Sequence, residues 1–215
     1  MDTTDATRRS YDAAAEDYAR EIAGELRGKP LDRAVLDAFA ETVPAGPVAD
    51  LGCGPGHVAA YLRARGLPTV GLDLSPAMCA VAGRDVGLPA AAGDLAALPI
   101  RSGSLAGAVC LHAVIHLGPE RRAAAYRELA RVLSPGGLAL VAFHVGDAEV
   151  APGGSRTLTT WWDHDVDLIF RFLDPATEIV ALGGAGLATV ARVEREPYAG
   201  AEHPSRRCAL LVERR

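Results

Sequence analysis

The sequence predicts a doubly wound α/β domain, with a mainly parallel sheet, an N-terminal helical lid and an antiparallel edge strand near the C-terminus. Three observations carry that expectation. Short apolar runs at 47–51, 69–72, 106–111 and 138–143 read as strands buried on both faces. Segments of helical spacing separate them, giving the β-α-β rhythm of a parallel sheet. The first run passes directly into a glycine-rich turn, Gly52-Cys53-Gly54-Pro55-Gly56, which marks a ligand site at the carboxyl end of a strand.

Each element has a local reason. Tyr11, Ala15, Tyr18 and Ile22 lie at helical spacing, and Leu31, Val35, Leu36 and Phe39 repeat the pattern after the break at Gly28-Lys29-Pro30. A helix from His57 to Arg65 stops at Gly66, and another starts at Ser75-Pro76, a capping hydroxyl followed by Pro at the first helical position. A third begins near Pro119, presents Ala123, Tyr126, Leu129, Ala130 and Leu133 on one side, and ends at Ser134-Pro135-Gly136-Gly137. Beyond residue 146 a loop rich in Gly, Thr and Ser leads through Trp161-Trp162-Asp163-His164 to an extended piece, Val166 to Phe172, and a helix capped by Asp174. Ala188 to Glu194 and Cys208 to Glu213 close the chain as an antiparallel pair. The expected organisation is a lid over 1–42 and one α/β domain over 43–215, with an insertion at about 147–173.

Composition narrows the functional classes. The 215 residues are 49% hydrophobic and 23% charged, an ordinary globular balance that excludes disorder. The 22 basic and 27 acidic residues give a net charge of −5, and no basic stretch exceeds an Arg pair, so nucleic acid is not an expected partner. Four cysteines form no Cys-x-x-Cys pair, and the N-terminal thirty residues hold no continuous apolar stretch of the secretory kind. The longest apolar run, Leu138 to Phe143, is far too short for a bilayer, so neither export nor membrane attachment is expected and the reducing cytoplasm is the expected location.

The spacing of the glycine turn discriminates between ligands. A dinucleotide site needs a small third residue to pack helix on strand beside a pyrophosphate, but counting from Gly52 puts His57 there. A phosphate-cradling loop needs Lys-Ser/Thr after its glycines, and that pair is absent. Asp50 instead ends the strand before the turn, where a carboxylate attracts a cationic group and repels a pyrophosphate. Asp73 ends the second strand, where a carboxylate reads a ribose diol, and Asp94 follows in Gly93-Asp94-Leu95. Three acidic strand ends should face one crevice.

The run Asp50-Leu51-Gly52-Cys53-Gly54-Pro55-Gly56 resembles the first motif of class I S-adenosylmethionine-dependent methyltransferases, and the resemblance extends over about residues 46–146. It implies a Rossmann-like, seven-stranded sheet and S-adenosylmethionine as cofactor. By this resemblance Asp50 with the Gly52 and Gly54 backbone would hold the methionine part, Asp73 the ribose hydroxyls, Leu74 an adenine face, and Asp94 with Leu95 the adenine edge. Leu111 and His112 would line the site near the sulfonium. Tyr11-Asp12-x-x-Ala15-x-x-Tyr18 resembles the lid helix of small-molecule members, in which the first Tyr covers the cofactor carboxylate. Arg131 to Gly137 is similar to the family's turn before the fifth strand.

For the acceptor side the residues offer candidates with bland rivals. His116 follows the fourth strand and His144 ends the fifth, both at strand carboxyl ends, where a neutral imidazole can serve as a general base. Either could equally bond a neighbouring carbonyl. Trp161 and Trp162, with Tyr18, could wall an acceptor pocket or form core under an insertion. Asp163-His164-Asp165-x-Asp167 reads as solvated donors, and no metal is expected. The expected function is methyl transfer to an oxygen or nitrogen of a small-molecule acceptor by a monomer or homodimer. The rivals are a cyclase or isomerase that keeps the cofactor without methyl transfer, and a non-catalytic cofactor-binding protein.

Overall fold

The computed structural model describes residues 3–215. Helix α1 (Thr3–Ile22) and helix α2 (Pro30–Thr42) precede the strands β1 (Val48–Leu51), β2 (Thr69–Asp73), β3 (Ala90–Ala92), β4 (Leu105–Leu111) and β5 (Leu133–Gly146). Helices α3 (His57–Arg63), α4 (Pro76–Val86) and α5 (Pro119–Val132) alternate with those strands. The chain ends with β6 (Ser155–Trp161), β7 (His164–Arg171), α6 (Pro175–Gly184), β8 (Leu187–Arg195) and β9 (Arg206–Arg214).

Seven strands form one sheet in the order β3-β2-β1-β4-β5-β9-β8. The first five are parallel, and β9 inserts antiparallel between β5 and β8. This is the doubly wound architecture expected from the apolar runs, with its antiparallel edge in the expected place. β1 is buried along its whole length, as a central strand covered on both faces must be. Leu36 and Phe39 of α2 are buried against Val48, Val109 and Leu140, so α2 belongs to the core layer, while α1 packs on α4 and β7.

Three details depart from the sequence-based expectation. Ala90–Ala92 pairs with Gly71–Asp73 as the outer strand, although three partly exposed alanines give no apolar run to find. The segment before Trp161 is a strand rather than a loop. Ser155–Trp161 pairs antiparallel with His164–Arg171 in a separate two-stranded sheet, turning through Trp162 and Asp163 at φ 46° and 64°. Ser134 to Gly137 does not stand apart as a turn, because β5 runs through it with a register shift between the partners of Leu105 and Gly107.

The hairpin is tied to α1. The Asp167 N–H donates to Ser10 Oγ at 2.9 Å, and His164 Nε2 lies 2.7 Å from Asp17 Oδ2. Ser75 Oγ, which caps α4 by accepting from Met78 N at 3.1 Å, donates to Asp12 Oδ1 at 2.6 Å and anchors the other side of α1. Together α1 and the hairpin cover the carboxyl ends of the parallel strands. No helix among the described residues is long and apolar enough to cross a membrane.

Candidate active site

Gly52, Gly54 and Gly56 all adopt left-handed φ, at 79°, 51° and 81°, which a side chain would resist. Gly52 N and Cys53 N donate to Leu72 O at 2.7 and 3.1 Å, pinning the turn to the end of β2. A Cβ on Gly52 would overlap the Ala113 methyl, whereas one on Gly54 would meet only Tyr18 Cε1 at 3.7 Å. The main chain at Gly54 therefore borders open space.

Asp73 accepts from Gly54 N and from Ser75 N, each at 2.8 Å, so one carboxylate holds the glycine turn and the start of α4 together. Burial raises its pKa, and these backbone donors pull the other way. Asp50 is 2% exposed and accepts one hydrogen bond, from Ala59 N at 3.0 Å. Burial pushes it up to about 7, against the pull of His57 and Ala59 N, so a cationic group arriving beside it would favour its ionised form. Asp94 accepts from Ala96 N at 2.9 Å and pairs with Arg121.

Two cavities meet over this turn. The first, about 100 Å³, is lined by nine of the ten candidate cofactor residues: Tyr11, Gly52, Gly54, Asp73, Leu74, Asp94, Leu95, Leu111 and His112. Asp50, the tenth, lines the second, which measures about 220 Å³ and shares Tyr11, Tyr18, Gly52, Gly54, Leu111 and His112 with the first. The residues suit a flat nucleoside at one end and a charged amino-acid group at the other. They provide a main-chain cradle without side chains, an apolar face at Leu74 and Leu95, and carboxylates at two separated points.

The candidates for the acceptor side are also brought here. Trp161 and Tyr18 line the second cavity with Phe170, their rings edge-on at 5.5 Å for Tyr18 to Trp161 and 6.0 Å for Trp161 to Phe170. Trp162 does not line it; it stacks on Trp161 at 4.5 Å and so backs the wall. His144 lines the second cavity and bonds Ser205 Oγ through Nδ1 at 2.7 Å. His116 lines the first, bonded to Tyr11 and to the Ile169 carbonyl. Burial lowers His116 to about 4 and His144 to about 3, with Arg171 and Arg207 respectively adding to the effect, so both rings are neutral at pH 7. His112 packs on His144 at 4.7 Å between ring centres and holds φ at 59°, a strained conformation for a non-glycine residue.

A polar wall that sequence reasoning missed closes the second cavity. Arg207 sits opposite His144 in the β5–β9 pairing and opposite Arg195 in the β9–β8 pairing, so the three share one face of the sheet. Lys29, 4% exposed, reaches Glu25 at 2.5 Å and Glu202 at 3.2 Å, and Glu202 also pairs with Arg195. Glu25 falls to about 2 because His57 and Lys29 outweigh its burial. His57, the first residue of α3, lies 3.1 Å from Glu25 Oε1 in this wall. No group of three or more metal-ligating side chains occurs among the described residues.

Residues 49–141 match the family model described as a methyltransferase domain. That stretch is less than half of the 215 residues. The seven-stranded sheet with its antiparallel edge is the Rossmann-like methyltransferase fold, and S-adenosylmethionine is the cofactor that the family match implies. Among solved structures, Burkholderia thailandensis 1,6-didemethyltoxoflavin-N1-methyltransferase, with its substrate and S-adenosylhomocysteine, is similar at a TM-score of 0.72 and 18% identity, over 96% of this chain and 86% of that one. The DhpI–S-adenosylhomocysteine complex is similar at 0.71 and 21%, over 99% and 97%. Both likenesses speak to the fold. Among curated proteins, the Mus musculus tRNA (carboxymethyluridine(34)-5-O)-methyltransferase ALKBH8 is 38% identical over 106 residues. That stretch is 48% of this chain but spans only 15% of the mouse protein.

Proposed function

We propose that the protein transfers a methyl group from S-adenosylmethionine to an oxygen or nitrogen of a small-molecule acceptor. One observation carries this reading. The cavity over the glycine turn shares six lining residues with a second, which is lined both by Asp50 and the glycine turn and by Trp161, Tyr18 and Phe170, so the charged end of the cofactor and an aromatic wall for an acceptor adjoin.

In this reading Asp50 pairs with the ammonium of the methionine part, while the Gly52 and Gly54 main chain lets the ligand approach closely. Asp73 accepts from the ribose hydroxyls, Leu74 and Leu95 flank the base, Asp94 reads its edge, and Leu111 and His112 border the reacting centre. The bound cofactor supplies an electrophilic methyl on a sulfonium. Tyr18 and Trp161, backed by Trp162, exclude water and orient the acceptor, which accounts for most of the rate in a displacement that needs alignment above all. In the same reading the neutral rings of His116, reached through Tyr11, and His144 take up the acceptor's proton. The same reading takes residues 1–42 as a unit whose α1 acts as lid, and 147–173 as an insertion into the α/β domain of 43–215. Four free thiols fit work in a reducing cytoplasm.

The test is calorimetry with S-adenosylhomocysteine, followed by mass analysis of turnover over a panel of hydroxylated aromatics and N–H heteroaromatics. Micromolar-range binding and a gain of about 14 Da per turnover support the reading. Absence of binding sinks it, and turnover without mass gain transfers it to the cyclase alternative. A second reading, an acceptor carried on tRNA, is favoured by the mouse relative and opposed by the net charge of −5. Label passing from the cofactor to bulk tRNA, and to no small molecule, would replace the first reading with the second.

A further inference from the structure

Tyr11 and His116 meet in a hydrogen bond whose direction the surroundings fix. His116 Nδ1 lies 3.1 Å from the Ile169 carbonyl oxygen, which can only accept, so Nδ1 carries the ring hydrogen. The ring is neutral, because burial and the cation of Arg171 both oppose its protonation. Nε2 is then a bare lone pair. Tyr11 Oη, 2.8 Å away, must donate to it.

From this geometry we propose that Tyr11 and His116 form a proton relay, in which the Tyr11 oxygen takes the acceptor's proton while passing its own to His116 Nε2. The relay rests on the methyl-transfer reading and deepens it. Tyr11 lines both cavities, and its hydroxyl is hydrogen-bonded to His116, which lines the first. Its ring is held edge-on by Tyr18 at 5.8 Å, Trp161 at 5.9 Å and His116 at 5.3 Å. The participants come from three elements: α1 supplies Tyr11, the turn after β4 supplies His116, and β7 supplies the Ile169 carbonyl. Arg171 of β7 donates to the His116 carbonyl at 2.8 Å and fixes that turn. The relay is therefore complete only when lid and hairpin are both seated.

The balance of the step is simple. The bond from methyl carbon to sulfur breaks with its electron pair going to sulfur, and the acceptor atom forms the new bond with its own lone pair. Its proton moves to Tyr11 Oη, the Tyr11 proton moves to Nε2, and the resulting imidazolium keeps its Nδ1–H on the Ile169 carbonyl. After product leaves, reversal returns the proton to solvent. A base as weak as buried His116 does not ionise an alcohol or heteroaromatic N–H beforehand, but it readily takes the proton from an atom made cationic by methylation. The relay therefore selects a neutral hydroxyl or N–H acceptor, and a carboxylate, having no proton to lose, has no use for it.

Two measurements on the full chain test this. Long-range ¹H–¹⁵N correlation of histidine-labelled protein with S-adenosylhomocysteine, with His116→Gln assigning the signal, should show the Nδ1–H tautomer for His116. Tyr11→Phe should move the Nε2 resonance and leave the tautomer unchanged. An Nε2–H tautomer overturns the relay, because such a nitrogen cannot accept from Tyr11. In turnover of phenol, catechol and 8-hydroxyquinoline as probes, Tyr11→Phe should lower kcat by about 10²–10⁴-fold at saturating cofactor, a loss in excess of any change in S-adenosylhomocysteine affinity measured by calorimetry on the same variant. Unchanged kcat, or a loss confined to KM, overturns the relay while leaving methyl transfer intact. Wild-type protein that neither binds S-adenosylhomocysteine nor methylates any probe overturns the underlying reading, and the relay with it.

Discussion

Replacing Asp50 with Asn tests the methionine end of the cofactor site through its pH dependence. With its pKa raised to about 7 by burial, Asp50 is about half ionised at pH 7, about a tenth at pH 6 and about a hundredth at pH 5. If the ligand's ammonium requires the ionised form, S-adenosylhomocysteine affinity should fall about 5-fold from pH 7 to 6 and about 50-fold from pH 7 to 5. The limit is the shift of about three pKa units, on the order of 4 kcal/mol, if pairing restores an ordinary carboxylate. Binding near pH 6 should also release close to one proton, measured as a dependence of calorimetric enthalpy on the buffer's ionisation enthalpy. Asp50→Asn should bind more weakly at pH 8 and lose both effects. Thermal melting is a poorer assay. A raised carboxyl pKa contributes stability that is full below about 4 and lost as pH rises through about 7, whereas depressed His116 and His144 contribute stability lost as pH falls toward their folded values of about 4 and 3. The opposing slopes overlap in melting curves, whereas binding reads the carboxyl that meets the ligand's ammonium, and the Asn variant separates Asp50 from the other titratable groups of the site, Asp73 among them. A flat wild-type affinity across that range, or an Asn variant that keeps the slope, refutes the reasoning.

Asp73→Ala removes a carboxylate bonded to two backbone donors and should weaken S-adenosylhomocysteine binding about 10–100-fold, corresponding to 1.5–3 kcal/mol, with an unchanged circular dichroism spectrum. Full-strength binding by calorimetry would show the ribose contact misassigned. Gly52→Ala forces a side chain onto a left-handed residue beside Ala113 and should cost about 1–3 kcal/mol in thermal stability, along with cofactor affinity; a wild-type melting temperature would contradict the packing. Glu178, 1% exposed, accepts from Tyr126 Oη at 2.6 Å and Arg122 Nε at 2.9 Å. Glu178→Ala should leave the largely buried Arg122 guanidinium with the Leu117 carbonyl but no carboxylate, and the Tyr126 hydroxyl without its acceptor, and cost about 3–5 kcal/mol in urea unfolding, with a loss under about 1 kcal/mol counting against it.

The parts of the molecule visible in the sequence are those whose cause is local. The glycine turn announces itself because positive φ admits little else, and the parallel strands because burial on both faces leaves continuous apolar runs. Asp73 and Asp94 follow from strand ends. β3 was invisible because an edge strand of three alanines has neither bulk nor alternation. The hairpin was half visible: its turn places Trp162 and Asp163 at positive φ, and the pattern of Ser155–Trp161 is polar, because that strand pairs with β7 in a sheet apart from the main one. The partner of Asp50 was missed because it is a backbone N–H nine residues downstream, and main-chain donors leave no mark in a sequence. The polar wall was illegible for a different reason. Glu25 and Lys29 are a local pair four positions apart, but Glu202 and Arg207, from the loop before β9 and from β9 itself, join them across more than 170 positions.

The two adjoining chambers share the glycine turn and the end of β4 and differ in what else walls them. The first adds the ends of β2 and β3, the second the hairpin, the start of α2 and the loop before β9. Mutation can therefore accumulate in the hairpin and in that loop, giving lineages with new acceptors, while the cradle for the shared donor is inherited intact. Only at the four side chains common to both, Tyr11, Tyr18, Leu111 and His112, do the two demands fall on the same atoms, and there divergence has the least latitude.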